Sequence, residues 1–222
     1  MSQQLWTDVD RYITGHLVPA DHALDAAVDA CEAADLPQMA VSPNEGKLLH
    51  VLARSCGARR ILEIGTLGGF STIWLGRALP SDGRLISLEL DERHASVARE
   101  NVARAGLERV VDIRVGRALD LLPKLAAENP GPFDFIFIDA DKESNADYFA
   151  WALKLSRPGS VIVVDNVVRA GGVVDASHTD SRILGVRRLY EAMAAEPRVT
   201  ATAIQTVGSK GHDGFAIAIV NG

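Results

Sequence analysis

From residue 60 to about residue 165 the chain repeats one unit: a short apolar run, a turn, then a stretch with helical spacing. Ile61-Leu62-Glu63-Ile64 leads into Gly65, Gly68 and Gly69, followed by a helix through Trp74 and Ala78. Leu85–Leu88 ends at Glu89 and precedes a helix from about Asp91 to Ala105, stopped by Gly106. Val110–Val115 is a third strand, with a Leu-rich helix around Leu119–Leu125 after it. Phe133–Ile138 and Val161–Val164 are the fourth and fifth, with a helix containing Tyr148–Leu155 between them. Parallel strands need crossover connections, so this alternation predicts a parallel sheet covered by helices on both faces.

The two ends of the chain depart from the repeat. After a helix near Ile183–Ala195, the strand-like runs Val199–Val207 and Phe215–Val220 are joined by the glycine-bearing loop Gly208–Gly214. That loop has no room for a crossover helix and predicts an antiparallel hairpin. The first 59 residues carry helical signals only. Leu24, Ala27, Val28 and Cys31 recur at helical spacing, and Ser42-Pro43-Asn44-Glu45 opens a helix with a capping box and a proline at its first position. Leu48, Leu49 and Leu52 form that helix's apolar face and Gly57 ends it. No repeat or linker interrupts the chain, so one α/β domain over 1–222 is expected, with a helical segment 1–59 and an α/β core 60–222.

Composition narrows the function classes. With 222 residues, 47% hydrophobic and 23% charged, the chain can build a core without cross-links. Its two cysteines, Cys31 and Cys56, supply no disulfide framework, so a reducing, cytoplasmic setting is expected. A formal charge of -6 argues against a surface that coats nucleic acid. The start Met1–Asp8 lacks the pattern of a signal peptide, and no run approaches the ~20 apolar residues of a bilayer span. Neither nucleic acid nor a membrane is expected as a partner.

The chemistry-bearing residues fall at strand ends. Glycines in Glu63-Ile64-Gly65-Thr66-Leu67-Gly68-Gly69 would let backbone approach a nucleotide-type cofactor, or simply make a tight turn. The dinucleotide fingerprint is incomplete, since it would need glycine at Leu67 and Phe70. Glu63, an acid just before the first glycine, suits a cofactor with a cationic group better than a pyrophosphate. Glu89, at the end of the second strand, stands where an acid accepts hydrogen bonds from ribose hydroxyls. Asp139-Ala140-Asp141-Lys142 follows the fourth strand and Asp165-Asn166 ends the fifth. In a parallel sheet all these ends share one edge, so Asp139, Asp165 and Asn166 can converge as hard oxygen ligands for Mg²⁺, with Mn²⁺ or Ca²⁺ as alternatives. Lys142 beside them is either a proton acceptor or a solvated loop lysine.

The segments Glu63–Ser71, Phe137–Lys142 and Val164–Val167 together resemble the cation-dependent O-methyltransferases of the caffeoyl-CoA and catechol type, class I enzymes that use S-adenosylmethionine. The resemblance implies a Rossmann-like, doubly wound, mostly parallel seven-stranded sheet with an antiparallel C-terminal hairpin and extra N-terminal helices. It implies cofactor contacts from Met39, Val41, Glu63, Gly65, Thr66, Ser71, Glu89, Ala118, Asp141 and Tyr148. It further implies metal ligands at Asp139, Asp165 and Asn166, a base at Lys142 with Asp139 against the substrate, a small phenolic acceptor, and a homodimer. His178, in the loop Arg169–Asp180, is a candidate substrate contact.

Two other readings stand beside this one. An NAD(P)-dependent oxidoreductase is opposed by the incomplete fingerprint and by the absence of lysine four residues after any of the three tyrosines. A non-catalytic cofactor-binding module on the same fold is opposed by the acid and lysine cluster.

Overall fold

The computed structural model describes residues 2–222. Three helices come first: α1 (Gln3–Leu17), α2 (His22–Ala33) and α3 (Pro43–Ser55). The core then runs β1 (Arg60–Ile64), α4 (Phe70–Gly76), β2 (Arg84–Glu89), α5 (Glu92–Arg104), β3 (Val111–Val115), α6 (Ala118–Glu128), β4 (Phe133–Ile138), α7 (Asn145–Lys154) and β5 (Ser156–Asp165). It closes with α8 (Ser181–Ala195), β6 (Val199–Gly208) and β7 (Gly211–Val220). The seven strands form one sheet in the order β3-β2-β1-β4-β5-β7-β6. β1 to β5 pair in parallel, while β7 lies antiparallel between β5 and β6.

Strand alternation divides the core into two layers. Leu62, Ile64, Ile136 and Ile138 face α6, α7 and α8, where Leu122, Leu125, Phe149 and Leu189 cover them. Ile61, Phe135 and Phe137 face the other way, onto Leu24, Leu49, Ile73 and Trp74 from α2, α3 and α4. β4 is buried along its whole length, as the central strand of a doubly covered sheet must be.

The expected caps appear in place. Ser42 Oγ accepts the Glu45 amide at 3.2 Å, and the Glu45 carboxylate accepts the Ser42 amide at 3.1 Å. Asp91 caps α5, and Gly57 follows α3 with φ +64. Two boundaries differ from the sequence expectation. β5 begins at Ser156 rather than Val161: Ser156 stands opposite Phe133 and Val161 opposite Phe135, so the turn-prone Arg157-Pro158-Gly159 bulges out of the ladder between them. The β6–β7 connection is only Ser209 and Lys210, since the polar run Gly211–Gly214 continues the ladder to Gly208. α1 has no buried residue, so no core periodicity marked it. It is held instead by polar bonds: Asp10 Oδ2 accepts the Ser209 amide at 2.7 Å and Gln3 Nε2 donates to the Gly208 carbonyl at 2.9 Å. No helix among the described residues is long and apolar enough to cross a membrane.

Candidate active site

Register alone lines up the site. Ile64 stands opposite Leu88 and Ile138, and Ile138 opposite Val164. The next residues along these chains are therefore Gly65, Glu89, Asp139 and Asp165, all on the carboxyl edge of the sheet where α/β proteins bind ligands. A cleft of about 650 Å³ opens there.

At one end the glycine loop is tied to its neighbours. Gly65 has φ +98, and a side chain on it would collide with the carbonyl oxygen of Asp139, so only glycine lets β1 and β4 end this close together. Glu89 Oε2 accepts the amides of Thr66 at 3.0 Å and Leu67 at 2.8 Å, while Oε1 accepts the Asp91 amide at 3.0 Å. This carboxylate thus anchors the loop as well as bordering the cleft. Glu63 does not border it. Strand alternation turns Glu63 toward α4, where it is fully buried and accepts the hydroxyls of Ser71, Thr72 and Ser87 at 2.7, 2.6 and 2.6 Å. Burial raises its pKa to about 7 against the opposing pull of those hydroxyls.

At the other end Lys142 Nζ lies 2.7 Å from Asp139 Oδ1, with the lysine only 7% exposed. Gly185 of α8 makes room for this turn, since a side chain there would strike the Lys142 carbonyl. Asp165 is 5% exposed, and among the described residues its carboxylate accepts one hydrogen bond, from the Asn166 amide at 2.7 Å. Burial first, then the charges of Asp139 and Glu45, push the Asp165 carboxyl well above the usual range, with Lys142 pulling the other way. Tyr148 donates to Asp141 Oδ1 at 2.5 Å, and burial and that acid both raise its phenol. Asn166 adopts φ +58 directly after Asp165.

Of the residues singled out in the sequence, Met39, Val41, Gly65, Thr66, Ser71, Glu89, Ala118, Asp139, Asp141, Lys142, Tyr148 and Asn166 border the cleft. Glu63 lies beneath its floor, and Asp165 lies behind its wall, next to Glu45 and Phe215. His178 does not reach it; its Nδ1 accepts the Asp180 amide at 3.2 Å. Arg117, Arg169 and Arg182 border the cleft without having been singled out. For Arg169 a signal existed: it is a basic residue three positions beyond Asn166.

Among the described residues no three His, Cys, Asp or Glu side chains gather as a metal-ligand set. The donors on offer are two carboxylates and the Asn166 amide. All are hard oxygens, and buried Asp165 feels the charges of Asp139 and Glu45, opposed by that of Lys142. That excess of buried negative charge fits a divalent cation.

Similarity to known proteins points the same way. A profile of the O-methyltransferase family matches residues 18–217. A catechol O-methyltransferase of Niastella koreensis is 52% identical over 220 residues, covering 99% of this chain and 100% of the relative. A catechol O-methyltransferase of Mycobacterium tuberculosis is 54% identical over 213 residues, covering 96% of this chain and 95% of its own. The crystal structure of an O-methyltransferase from Bacillus cereus in complex with SAH superposes with a TM-score of 0.98 at 55% identity, covering 99% of this chain and 100% of that one. These likenesses leave the oxidoreductase and the non-catalytic module without support.

Proposed function

The chain belongs to the O-methyltransferase family, and from that premise we propose that it moves the methyl group of S-adenosylmethionine to one hydroxyl of a small vicinal diphenol, catechol- or caffeoyl-like, with a divalent cation bound. The observation that carries the reading is the Asp139–Lys142 pair in the cleft, backed by buried, charge-repelled Asp165.

S-adenosylmethionine would supply a methyl carbon on a cationic sulfur, and a divalent cation, Mg²⁺ first and Mn²⁺ or Ca²⁺ next, would supply Lewis acidity toward the acceptor's hydroxyls. Asp139, Asp165 and Asn166 are the residues that would hold the ion. Glu89 and the amide-lined loop Gly65–Thr66 receive the nucleoside, with Met39, Val41 and Ala118 against it, while Ser71, Asp141 and Tyr148 hold the methionine end. Glu63 acts from below, fixing Ser71 through its carboxylate. Lys142, after releasing its ammonium proton to solvent, accepts through Nζ the proton of the attacking hydroxyl as the oxygen–carbon bond forms and the carbon–sulfur bond breaks. Two free cysteines accord with a reducing cytoplasm. The exposed stripe Leu5, Val9 and Tyr12 on α1 is the surface through which two copies would pair as a homodimer.

A labelled methyl donor offered with catechol and with its meta isomer tests the reading. Label should enter catechol alone, disappear with EDTA and return with Mg²⁺. Equal rates on the two isomers would remove the chelated diphenol, and full turnover in a verified metal-free sample would remove the cation.

A further inference from the structure

We propose that Arg169 binds a carboxylate carried by the methyl acceptor, so that the preferred acceptors are acidic vicinal diphenols. This rests on the diphenol reading above and narrows it.

Arg169 borders the cleft together with Asp139, Lys142 and Asn166, at the end where the acceptor must lie. Its side chain is only 25% exposed. No hydrogen bond leaves its guanidinium among the described residues, and the nearest carboxylate oxygen, Asp213 Oδ2, is 3.9 Å away. The other Asp213 oxygen, Oδ1, already accepts the amides of Val168 and Arg169, each at 2.9 Å. The remaining cations of the cleft are occupied or solvated. Lys142 is bonded to Asp139, and Arg182 grips Asp180 through Nε at 3.0 Å and Nη2 at 2.6 Å. Arg117 is exposed on the opposite wall, beside Ala118.

The backbone under Arg169 is built to present it. Asn166, Arg169 and Ala170 have φ of +58, +55 and +53, a left-handed conformation that non-glycine residues rarely adopt. Asp213 holds the two amides of this segment, and the Val167 amide donates to the Gly214 carbonyl at 3.0 Å. Strain maintained by surrounding bonds is a mark of ligand clamps. A guanidinium is a planar fork of five donors that matches a carboxylate by two parallel bonds. Held three-quarters out of water without a hydrogen bond, it lacks the partner that an acidic acceptor would bring. A neutral acceptor leaves it only the long ion pair with Asp213 at 3.9 Å, and a cationic one meets repulsion.

The experiment compares 3,4-dihydroxybenzoate, catechol and dopamine in steady state, with Mg²⁺ and S-adenosylmethionine saturating. The wild-type enzyme should show a KM for the acid about ten- to a hundredfold below that for catechol, the range for a charge-assisted bond, with dopamine poorest. Arg169→Gln should raise the KM for the acid by that factor and leave catechol within about twofold, while Arg169→Lys recovers part of the loss. Thermal stabilisation by S-adenosylhomocysteine should be the same in all three proteins, which shows that fold and cofactor site are intact. A wild type without preference for the acid, or an Arg169→Gln enzyme weakened equally on all three acceptors, overturns the proposal while methylation of catechol upholds the underlying function. If no diphenol is methylated, both fall together.

Discussion

The two ends of the cleft hold their carboxylates in opposite conditions. Beneath the glycine loop, Glu63 accepts three hydroxyls and Glu89 three amides, so the chain itself fills most of their bonding capacity. At the ends of β4 and β5, Asp139 holds one lysine and Asp165 one amide, and the two acids repel each other and Glu45. Buried polar groups are normally satisfied, so acids left short of partners mark where an external partner belongs. In the proposed function one end is a finished surface that would receive the cofactor, and the other would keep its bonding capacity for the ion and the reacting oxygen.

Asp165→Asn is the strongest way to break this contrast. Turnover should fall to background, while S-adenosylhomocysteine still raises the melting temperature as in the wild type. The variant also removes a buried charge opposed by Asp139 and Glu45, so its metal-free form should melt higher than the metal-free wild type. Added Mg²⁺ should stabilise the wild type and not the variant. A calorimetric scan in which both respond alike to Mg²⁺ would place the ion elsewhere.

Lys142 sharpens the same end. Lys142→Ala should cost about 10²–10⁴ in kcat, the usual range for general acid–base catalysis. Lys142→Arg keeps the charge beside Asp139 but cannot take up a proton at neutral pH, so it should be nearly as damaging. If the arginine enzyme retains most activity and the same basic limb in its pH–rate profile, Lys142 is an electrostatic support only.

How far the sequence could be read follows the same division. The strands, the parallel core and the antiparallel tail were legible because periodicity and loop length are local signals, whereas the order of the strands in the sheet is not one and came only with the structure. The place of Asp139, Lys142 and Asn166 on the cleft was legible because topology puts every parallel strand's end on one edge. The direction in which Glu63 points was not, although alternation from Leu62 and Ile64 implies it: proximity to the glycine loop in sequence suggested a ligand, and the sheet turned the side chain to Ser71, Thr72 and Ser87. The anchoring of the loop by Glu89 depends on a neighbouring strand 22 residues away, and no local pattern encodes such a bond. Arg169 carried only the weak signal of following Asn166 by three positions, because its loop is shaped by Asp213 on β7, a partner 44 residues distant.

Glu89 tests the finished end, and the structure makes two substitutions informative. Glu89→Gln keeps an oxygen for the amides of Thr66 and Leu67 and alters what the cofactor's hydroxyls meet. It should raise the KM for S-adenosylmethionine about tenfold with kcat little changed, the signature of lost uniform binding. Glu89→Ala also leaves two loop amides unpaired, so it should lower thermal stability as well, by about 1–3 kcal/mol. Glutamine and alanine variants with equal stability would show that the loop does not depend on this carboxylate.

The effect furthest from turnover is expected at Glu63, and it is one of stability against pH. Burial raises this carboxyl to about 7 in the folded protein, above the value of 4.5 that an exposed glutamate has. The folded state therefore binds the proton more tightly than the unfolded chain. Its contribution is fully present below about pH 4.5 and is lost as pH rises through about 7, beyond which the fold carries a buried charge. The full loss amounts to about 3 kcal/mol at most. Glu63→Gln keeps the shape and removes the titration, and the hydroxyls of Ser71, Thr72 and Ser87 can reorient to serve an amide. Melting curves from pH 5 to 8 should thus fall more steeply for the wild type than for the variant, and the two should diverge most above pH 7. Parallel curves would mean that the three hydroxyls hold Glu63 ionised throughout, and the finished end of the cleft would then carry a buried charge just as the reactive end does.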